Sequence, residues 1–415
     1  MLAAVRPLAA EAVELGAARG RALRESIRAP HDLPPFRNSS MDGFAVRAAD
    51  LASAGASRPI ELPIRGVIAA GRVPERALEP GEAWRIMTGA PIPEGADAVV
   101  PFEETDAAPA SEAAPPRSPG RGDRTLGRVR FTRAAAAPAN IREAGADLRA
   151  GETALAAGRE LSAHDIALAA ALGIPHVTVG PRPSAAILST GDELLEIDVP
   201  LRPGAIRDSN TLMLRLLLEE AGCRVSIVER LPDDSTRVAE RMRHAFGAAD
   251  VTITIGGVSM GDFDPVRQTL AQLGGIEWWR VAMKPGQPQA FGAPGGKLYF
   301  GLPGNPASVA CVFEALVRPA LRAVQGFATL DRPKLTARAA TPIESRAGRT
   351  DFVRVTLEWR DEAWRATPAG AQVSGHLTPQ SRAHALLVVP EAVDALHAGD
   401  EAEAWLLRAP PPQGT

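Results

Sequence analysis

Glycine-rich loops follow short apolar runs at three places in this chain, and two of them add a hydroxyl residue and an acid. Ser189-Thr190-Gly191-Asp192-Glu193 follows the run from Ala185 to Leu188. Gly256-Gly257-Val258-Ser259-Met260-Gly261-Asp262-Phe263-Asp264 follows Val251 to Ile255, and Gly301-Leu302-Pro303-Gly304-Asn305-Pro306 follows Leu298 to Phe300. Successive amides in such turns form nests that bind anions. Asn305 as N-cap with Pro306 at the first helical position predicts free amides at a helix N-terminus, a seat for phosphate. One such loop alone is as readily a plain tight turn. Several on one edge of one sheet favour an anion pocket.

Asp192, Glu193, Asp262 and Asp264 stand beside these nests. Carboxylates repel phosphate unless a cation intervenes, and Mg²⁺ shares one or two carboxylates with phosphate oxygens. The plainer alternative, expected above all for Asp192, is that some of them only cap turns. Arg280 and Lys284 flank Val281-Ala282-Met283 on a strand expected from Trp278 to Met283. A charge on an apolar strand needs a partner, although an edge-strand lysine also discourages pairing with other chains. With Pro285-Gly286 directly after it, Lys284 reads as an anion ligand.

The elements that position these loops follow from the apolar pattern. Residues 183–325 alternate strands with helices: a strand at Ala185 to Leu188, a helix capped by Ser209 and running to about Glu220, and a strand at Arg224 to Val228. A helix over 235–248, the strand Val251 to Ile255, a helix over about 264–273 and a long helix from Pro306 continue the series. Such alternation predicts a doubly wound, mostly parallel sheet with its ligand outside the carboxyl ends of the strands. Before it, residues 2–27 carry apolar side chains at helical spacing and predict an amphipathic helix. Residues 58–104 read as a small β domain, 106–128 as a flexible excursion from it, and the chain after 330 as a C-terminal β domain.

Composition narrows the function classes. A net charge of −3 leaves no broad basic field for nucleic acid. Two cysteines, Cys223 and Cys311, build no disulfide framework and suit a reducing compartment, and the seven histidines show no metal-ligand spacing. No apolar run approaches a membrane span, so a cytoplasmic location is expected. At 415 residues the chain exceeds one ordinary core.

The order and spacing of several short segments then resemble the molybdopterin molybdenumtransferases, the MoeA-like family related to the C-terminal domain of gephyrin. The segments are Asn38-Ser39-Ser40-Met41-Asp42-Gly43-Phe44-Ala45, Arg85-Ile86-Met87-Thr88-Gly89-Ala90-Pro91, Asn140-Ile141-Arg142, Ser189 to Leu194 and Asp208-Ser209-Asn210. Gly256-Gly257-Val258-Ser259, Lys284-Pro285-Gly286 and Gly301 to Pro306 complete the set. The resemblance implies an α/β multidomain chain, with a domain from 1–27 and 139–177, an inserted β domain over 28–138, a doubly wound domain over 178–327 and a C-terminal β domain over 328–408. It also implies a homodimer with its active site at the subunit interface, Mg²⁺, and insertion of molybdate into adenylylated molybdopterin with release of AMP. Substrate would come from a molybdopterin adenylyltransferase, and product would pass to molybdoenzymes.

Carried over by position, Asp42, Thr88, Glu193, Asp233 and Asp264 match the polar and acidic residues of the family's cleft, with Glu193 and Asp264 assigned to the metal. Ser189, Gly191, Ser209, Gly256, Gly257, Ser259, Pro303, Gly304 and Asn305, with Lys284, are expected to hold the pterin phosphate and adenylate. Arg280, Arg349 and Arg354 are expected to meet molybdate. Arg280 replaces a commoner lysine and binds oxyanions as a fork. The chain departs from the family at Gln287, at the segment Ser374-Gly375-His376-Leu377-Thr378-Pro379-Gln380, and at His384. A stand-alone adenylyltransferase would lack the segments at Asp42 and Thr88 and the C-terminal domain. A non-catalytic scaffold is disfavoured by the intact carboxylates, and a tungstate-specific relative stays open.

Overall fold

The computed structural model describes residues 1–106, 126–232, 234–256 and 265–410. Two compact units emerge, one of residues 26–155 with 168–174, the other of residues 1–25, 156–167 and 175–415.

The first unit is built on a five-stranded sheet of β1 (Gly43–Val46), β2 (Ile60–Ile68), β3 (Ala83–Ile86), β4 (Ala98–Pro101) and β5 (Arg128–Phe131), in the order β4-β1-β3-β2-β5. The apolar runs at 64–69, 83–87 and 98–102 form strands as expected. Their side chains alternate between two clusters: Phe44, Val46, Val100 and Phe131 pack on one face, and Ala45, Trp84, Ile86 and Val99 on the other. Successive residues of a strand point to opposite faces, so short runs of uniformly apolar residues fill both. Of the expected excursion at 106–128, residues 107–125 lie outside the described residues, and Arg128 already begins β5.

The second unit holds the expected doubly wound sheet. Its elements are β6 (Ser184–Thr190), α1 (Ser209–Glu220), β7 (Arg224–Leu231), α2 (Ser235–Ala248), β8 (Val251–Ile255), α3 (Pro265–Leu273), β9 (Ile276–Arg280), β10 (Met283–Lys284), β11 (Pro288–Gly292) and β12 (Leu298–Leu302). The helix α4 (Pro306–Val312) runs on through a π turn at Phe313–Val317 into α5 (Arg318–Gln325). The sheet order is β7-β6-β8-β12-β11-β9, parallel across the first four strands and antiparallel at the last two. Ile187 and Ile253 share a core with Leu214 and Leu218 of α1 and Val309 of α4, while Leu188 packs with Val238 and Met242 of α2 and Leu270 of α3. Helices therefore cover both faces, which is why the central strands β8 and β12 are buried at every position.

The same unit contains a second sheet of β13 (Lys334–Ala339), β14 (Thr350–Arg360), β15 (Ala363–Pro368), β16 (Ala385–Val389) and β17 (Glu401–Leu406), with the helix α6 (Leu377–Arg382) between β15 and β16. The pairings β14-β15-β13-β17-β16 close because β16 also pairs with β14, giving a five-strand barrel that β10 extends at β14.

Three expectations need correction. Residues 2–27 form no helix: they contain single 3-10 turns at Leu2–Ala4 and Leu15–Ala18 and the strand Glu11–Glu14, paired with His176–Val179. Pro7 cannot sit inside a helix, Gly16 and Gly20 weaken one, and a distant strand partner decides the outcome. Asp208, not Ser209, caps α1, accepting a hydrogen bond from the Thr211 amide at 3.0 Å. The strand expected from Trp278 to Met283 splits in two. Its first part, β9, edges the doubly wound sheet, and after Arg280 the chain turns, with the Val281 amide donating to the Gln287 carbonyl at 3.0 Å. Met283 and Lys284 then join the barrel beside Thr350 and Asp351.

Candidate active site

The chain passes from β6 outward to β7 and then crosses back over β6 to β8, so the strand order reverses between β6 and β8. That reversal opens a crevice at the carboxyl ends of the two strands. The loops at Thr190-Gly191 and Gly256 leave from this edge, and register places Ile255 beside Leu302 at the end of β12. Gly257, Ser259, Asp262 and Asp264, which continue from β8, lie outside the described residues, as does Asp233.

Several groups at this edge are committed to one another. Ser189 is fully buried and its hydroxyl donates to Asp208 at 3.1 Å, while the Thr211 hydroxyl donates to the same carboxylate oxygen at 2.6 Å. Ser189 thus fixes the start of α1 and has no surface for a ligand. Gly191 has φ +141°, and a Cβ there would lie 2.6 Å from a Glu193 carboxylate oxygen. Glycine is what lets the Glu193 side chain fold back over the turn, where it is exposed and, among the described residues, without a cationic partner. The Arg202 side chain donates to the backbone carbonyl of Asp192 at 3.3 Å. The Asn210 amide donates to the Gly304 carbonyl at 2.7 Å and ties α1 to the loop after β12.

The phosphate seat expected at the N-terminus of α4 is overturned. Pro306 has no amide hydrogen, the Ala307 amide donates to the Ser374 carbonyl at 3.0 Å, and the Ser308 and Val309 amides both donate to Asn305. The first turn of this helix is satisfied by its own cap residue and by the barrel. What stays exposed is the turn itself, Gly304 and Asn305, while Pro303 is buried.

A second set of residues surrounds a cavity of about 320 Å³ where β10 meets β14. Lys284, Pro285, Glu344, Asp351, Arg354 and Gln372 are among its walls. Arg354 is 1% exposed, and its Nε and Nη1 have no hydrogen-bond partner among the described residues. Its Nη2 donates to the carbonyls of Ala371 and Val373, at 3.5 and 3.4 Å. Burial pulls the pKa of this guanidinium below its usual value. Arg349 is spent on Asp351, with its Nε at 2.8 Å from the carboxylate, and Lys284 stands 3.9 Å from the same group. Arg349 and Lys284 therefore share Asp351, while the buried Arg354 has no carboxylate partner among the described residues. Leaving donors of a buried charge unpaired is expensive, which makes this wall the candidate seat for an anion. Arg280 is exposed at the end of β9 and is not part of this wall.

Asp42 and Thr88 come together in the first unit. The Thr88 amide and hydroxyl donate to one Asp42 oxygen at 2.6 and 2.7 Å. These bonds, with the Arg85 charge adding to them, hold the carboxyl below its usual value, so Asp42 is an acceptor at neutral pH rather than an acid. Position 43 accepts only glycine, because a Cβ would lie 2.1 Å from the Val100 carbonyl oxygen. Burial pushes the Cys223 thiol up to about 12 and raises Cys311 as well, so neither presents a thiolate.

Sequence reasoning missed Asp351 and Gln372. Asp351 has a signal, since an acid two residues after Arg349 at the start of an extended run can reach back to it; Gln372 has none. Among the departures, the His384 ring Nδ1 accepts the Leu357 amide at 3.0 Å, and Gln287 contributes a carbonyl to the turn after β9. Among the described residues no cluster of three or more His, Cys, Asp or Glu is arranged around a metal, and no helix is long and apolar enough to cross a membrane.

Three family models match the chain in series: the MoeA N-terminal region (domains I and II) over residues 1–173, a probable molybdopterin binding domain over 186–323, and the MoeA C-terminal region (domain IV) over 336–407. Molybdopterin molybdenumtransferase 2 of Mycobacterium tuberculosis (strain H37Rv) is 36% identical over 411 residues, covering 98% of this chain and 96% of its own. The molybdopterin molybdenumtransferase of Bacillus subtilis (strain 168) is 34% identical over 400 residues, with 94% and 87% covered. The crystal structure of a molybdopterin biosynthesis MoeA protein from Pyrococcus horikoshii OT3 is similar with a TM-score of 0.80 and 28% identity, over 98% of this chain and 97% of that one.

Proposed function

The chain belongs to the MoeA family of molybdopterin molybdenumtransferases, and from that premise we propose that it inserts molybdate into adenylylated molybdopterin and releases AMP with the finished cofactor. The observation that carries the reading is Arg354, buried with two guanidinium nitrogens unpartnered among the described residues, in the wall of a cavity that Lys284 also lines. Molybdate is a dianion that accepts hydrogen bonds on every oxygen, and a guanidinium fork with an ammonium beside it meets that need. Lys284, first assigned to the adenylate, belongs on this reading to molybdate with Arg354. Arg349 supports it by occupying Asp351, and Arg280 is left as an exposed guide for incoming anions.

The adenylate and pterin phosphate lie at the strand-end loops, against Gly191, Ser209, Gly256 and the exposed Gly304-Asn305 turn, and Gly257 and Ser259, which follow Gly256 in the sequence, are assigned to the same ligand. Glu193 fits a Mg²⁺ ligand: it is exposed, unpaired among the described residues and set over an amide turn. With Asp264 and the phosphates it would complete an oxygen set of the kind Mg²⁺ takes, and the ion would neutralise charge on the phosphoryl group. Oxygen from molybdate or water attacks the phosphoanhydride, the bond to adenylate breaks, and AMP leaves. Asp42, held ionised by Thr88, and Asp233 serve as acceptors for donors on the substrate.

The working form is a homodimer in the cytoplasm. A second copy is the occupant proposed for the apolar surface around α1, where Ile197, Leu201, Ile206 and Leu216 are each more than half exposed. Patches of this kind mark contact sites. Four domains, bounded as the sequence suggests, are the organisation proposed for each subunit. Substrate arriving from an adenylyltransferase and product passing to molybdoenzymes complete the reading.

The test is AMP release by the purified chain given adenylylated molybdopterin and Mg²⁺, with and without molybdate. Release that requires molybdate is expected. Release indifferent to molybdate, or none at all, overturns the assignment.

A further inference from the structure

β15 pairs with β14 from Arg360 opposite Ala363 to Val355 opposite Pro368, and there the ladder stops. Arg354 is the next residue of β14, one step beyond the last β15 partner, while on its other side it stays paired with Leu386 of β16. The Gln372 side chain takes over at that step. Its Oε1 accepts the Arg354 amide at 2.9 Å, and its Nε2 donates to the Arg354 carbonyl at 3.2 Å. The same Nε2 donates to the Gly370 carbonyl at 2.8 Å, and the Ala369 amide fills the second site on the Arg354 carbonyl at 2.9 Å. The carbonyls on either side of Gln372, those of Ala371 and Val373, are the ones that touch the Arg354 guanidinium. One short segment therefore grips Arg354 by its backbone and by one end of its fork.

From this geometry, and resting on the oxyanion reading above, we propose that Gln372 is the positioning residue that aims the Arg354 fork at molybdate. Gln372 lines the cavity, yet both its amide hydrogens are spent on carbonyls. A carboxamide has no third donor, so it offers the anion nothing directly, and its influence runs through Arg354. The same segment also receives the Ala307 amide at Ser374, which anchors it against α4 and makes the grip rigid. Groups that orient a ligand-binding side chain affect affinity without touching the ligand, as outer-shell partners do at metal sites.

The experiment is calorimetric titration of the full chain with molybdate alone, alongside steady-state turnover and thermal unfolding. Gln372→Met, which keeps length and removes every hydrogen bond, is expected to weaken molybdate binding about tenfold. KM for molybdate should rise in step, with kcat at saturating molybdate and KM for the adenylylated substrate unchanged. In an Arg354→Lys background, which keeps the charge but not the fork, adding Gln372→Met should change affinity by less than about twofold. An unchanged molybdate affinity accompanied by a lower Tm would make Gln372 a structural residue only and overturn the proposal, as would full additivity with Arg354→Lys. Gln372→Asn, an amide one carbon shorter, carries the same criteria if the Met variant does not fold. Wild-type protein that binds no molybdate removes the oxyanion reading itself, and this inference with it.

Discussion

Asp42 and Arg354 are two charges that the fold treats in opposite ways. Asp42 is exposed and takes two short hydrogen bonds from Thr88, and its pKa moves in the direction that keeps it charged. Arg354 is buried, with two nitrogens unpartnered among the described residues, and its pKa moves in the direction that disfavours the charge. The first charge is settled within the protein and can be an acceptor without reorganising. The second is held at a disadvantage that an anion relieves. A group whose surroundings already satisfy it positions things; a buried group left unsatisfied is where binding energy is waiting to be released.

The largest effect that contrast predicts is at Arg354. Arg354→Met fills similar space without charge, so Tm is expected to hold or rise, because replacing a poorly paired buried charge by an apolar side chain is neutral to stabilising. Molybdate binding measured by calorimetry should fall by about a hundredfold or more, the loss of a charge-assisted fork. A variant that binds molybdate normally breaks the comparison, since the bare guanidinium would then serve no anion.

Gly191→Ala comes next. Its positive φ and the 2.6 Å approach of Glu193 mean a methyl group must displace the carboxylate. Strain there costs on the order of 1–3 kcal/mol, and Mg²⁺-dependent AMP release should drop by roughly 10² if Glu193 holds the ion. Intact Mg²⁺ dependence would remove Glu193 from the metal site. Lys284→Ala should weaken molybdate binding by about tenfold, less than Arg354, because an exposed ammonium is already solvated and screened.

The smallest effect sharpens the Asp42 side. A carboxylate whose folded pKa lies below the usual 3.8 contributes stability above that value. The contribution disappears as pH falls through the lowered pKa. Wild type is therefore expected to exceed Asp42→Asn in Tm at neutral pH, with the gap closing below about pH 3.8. A gap independent of pH would mean the Thr88 bonds do not depend on the charge.

Much of this was legible in the chain. The run Val251 to Ile255 is buried at every position because helices cover both faces of β8, its apolar Val251, Ile253 and Ile255 alternating with Thr252 and Thr254. The glycines at 191 and 256 mark turns that need positive φ. The segment at Asp42-Gly43 and Thr88-Gly89 pointed to a pair 46 positions apart that the structure joins. The N-terminal stretch misled because apolar spacing carries no information about a strand partner at 176–179. The split after Arg280 was equally hidden: a short apolar stretch reads as one strand whether or not it changes sheets.

The sequence by itself determined the family, the alternation of the doubly wound sheet and the types of side chain available, because local pattern and residue chemistry are written position by position. Only the tertiary structure decided which of those side chains are spent. Ser189 and the amides after Asn305 looked available and are satisfied internally, whereas Arg354, one of three arginines expected to meet molybdate, is the one buried with nitrogens that have no partner among the described residues. The physical reason is that satisfaction of a polar group depends on partners such as Asp208, Ser374 and Gln372. Those are brought to it by strand register and barrel closure over distances that no local pattern encodes.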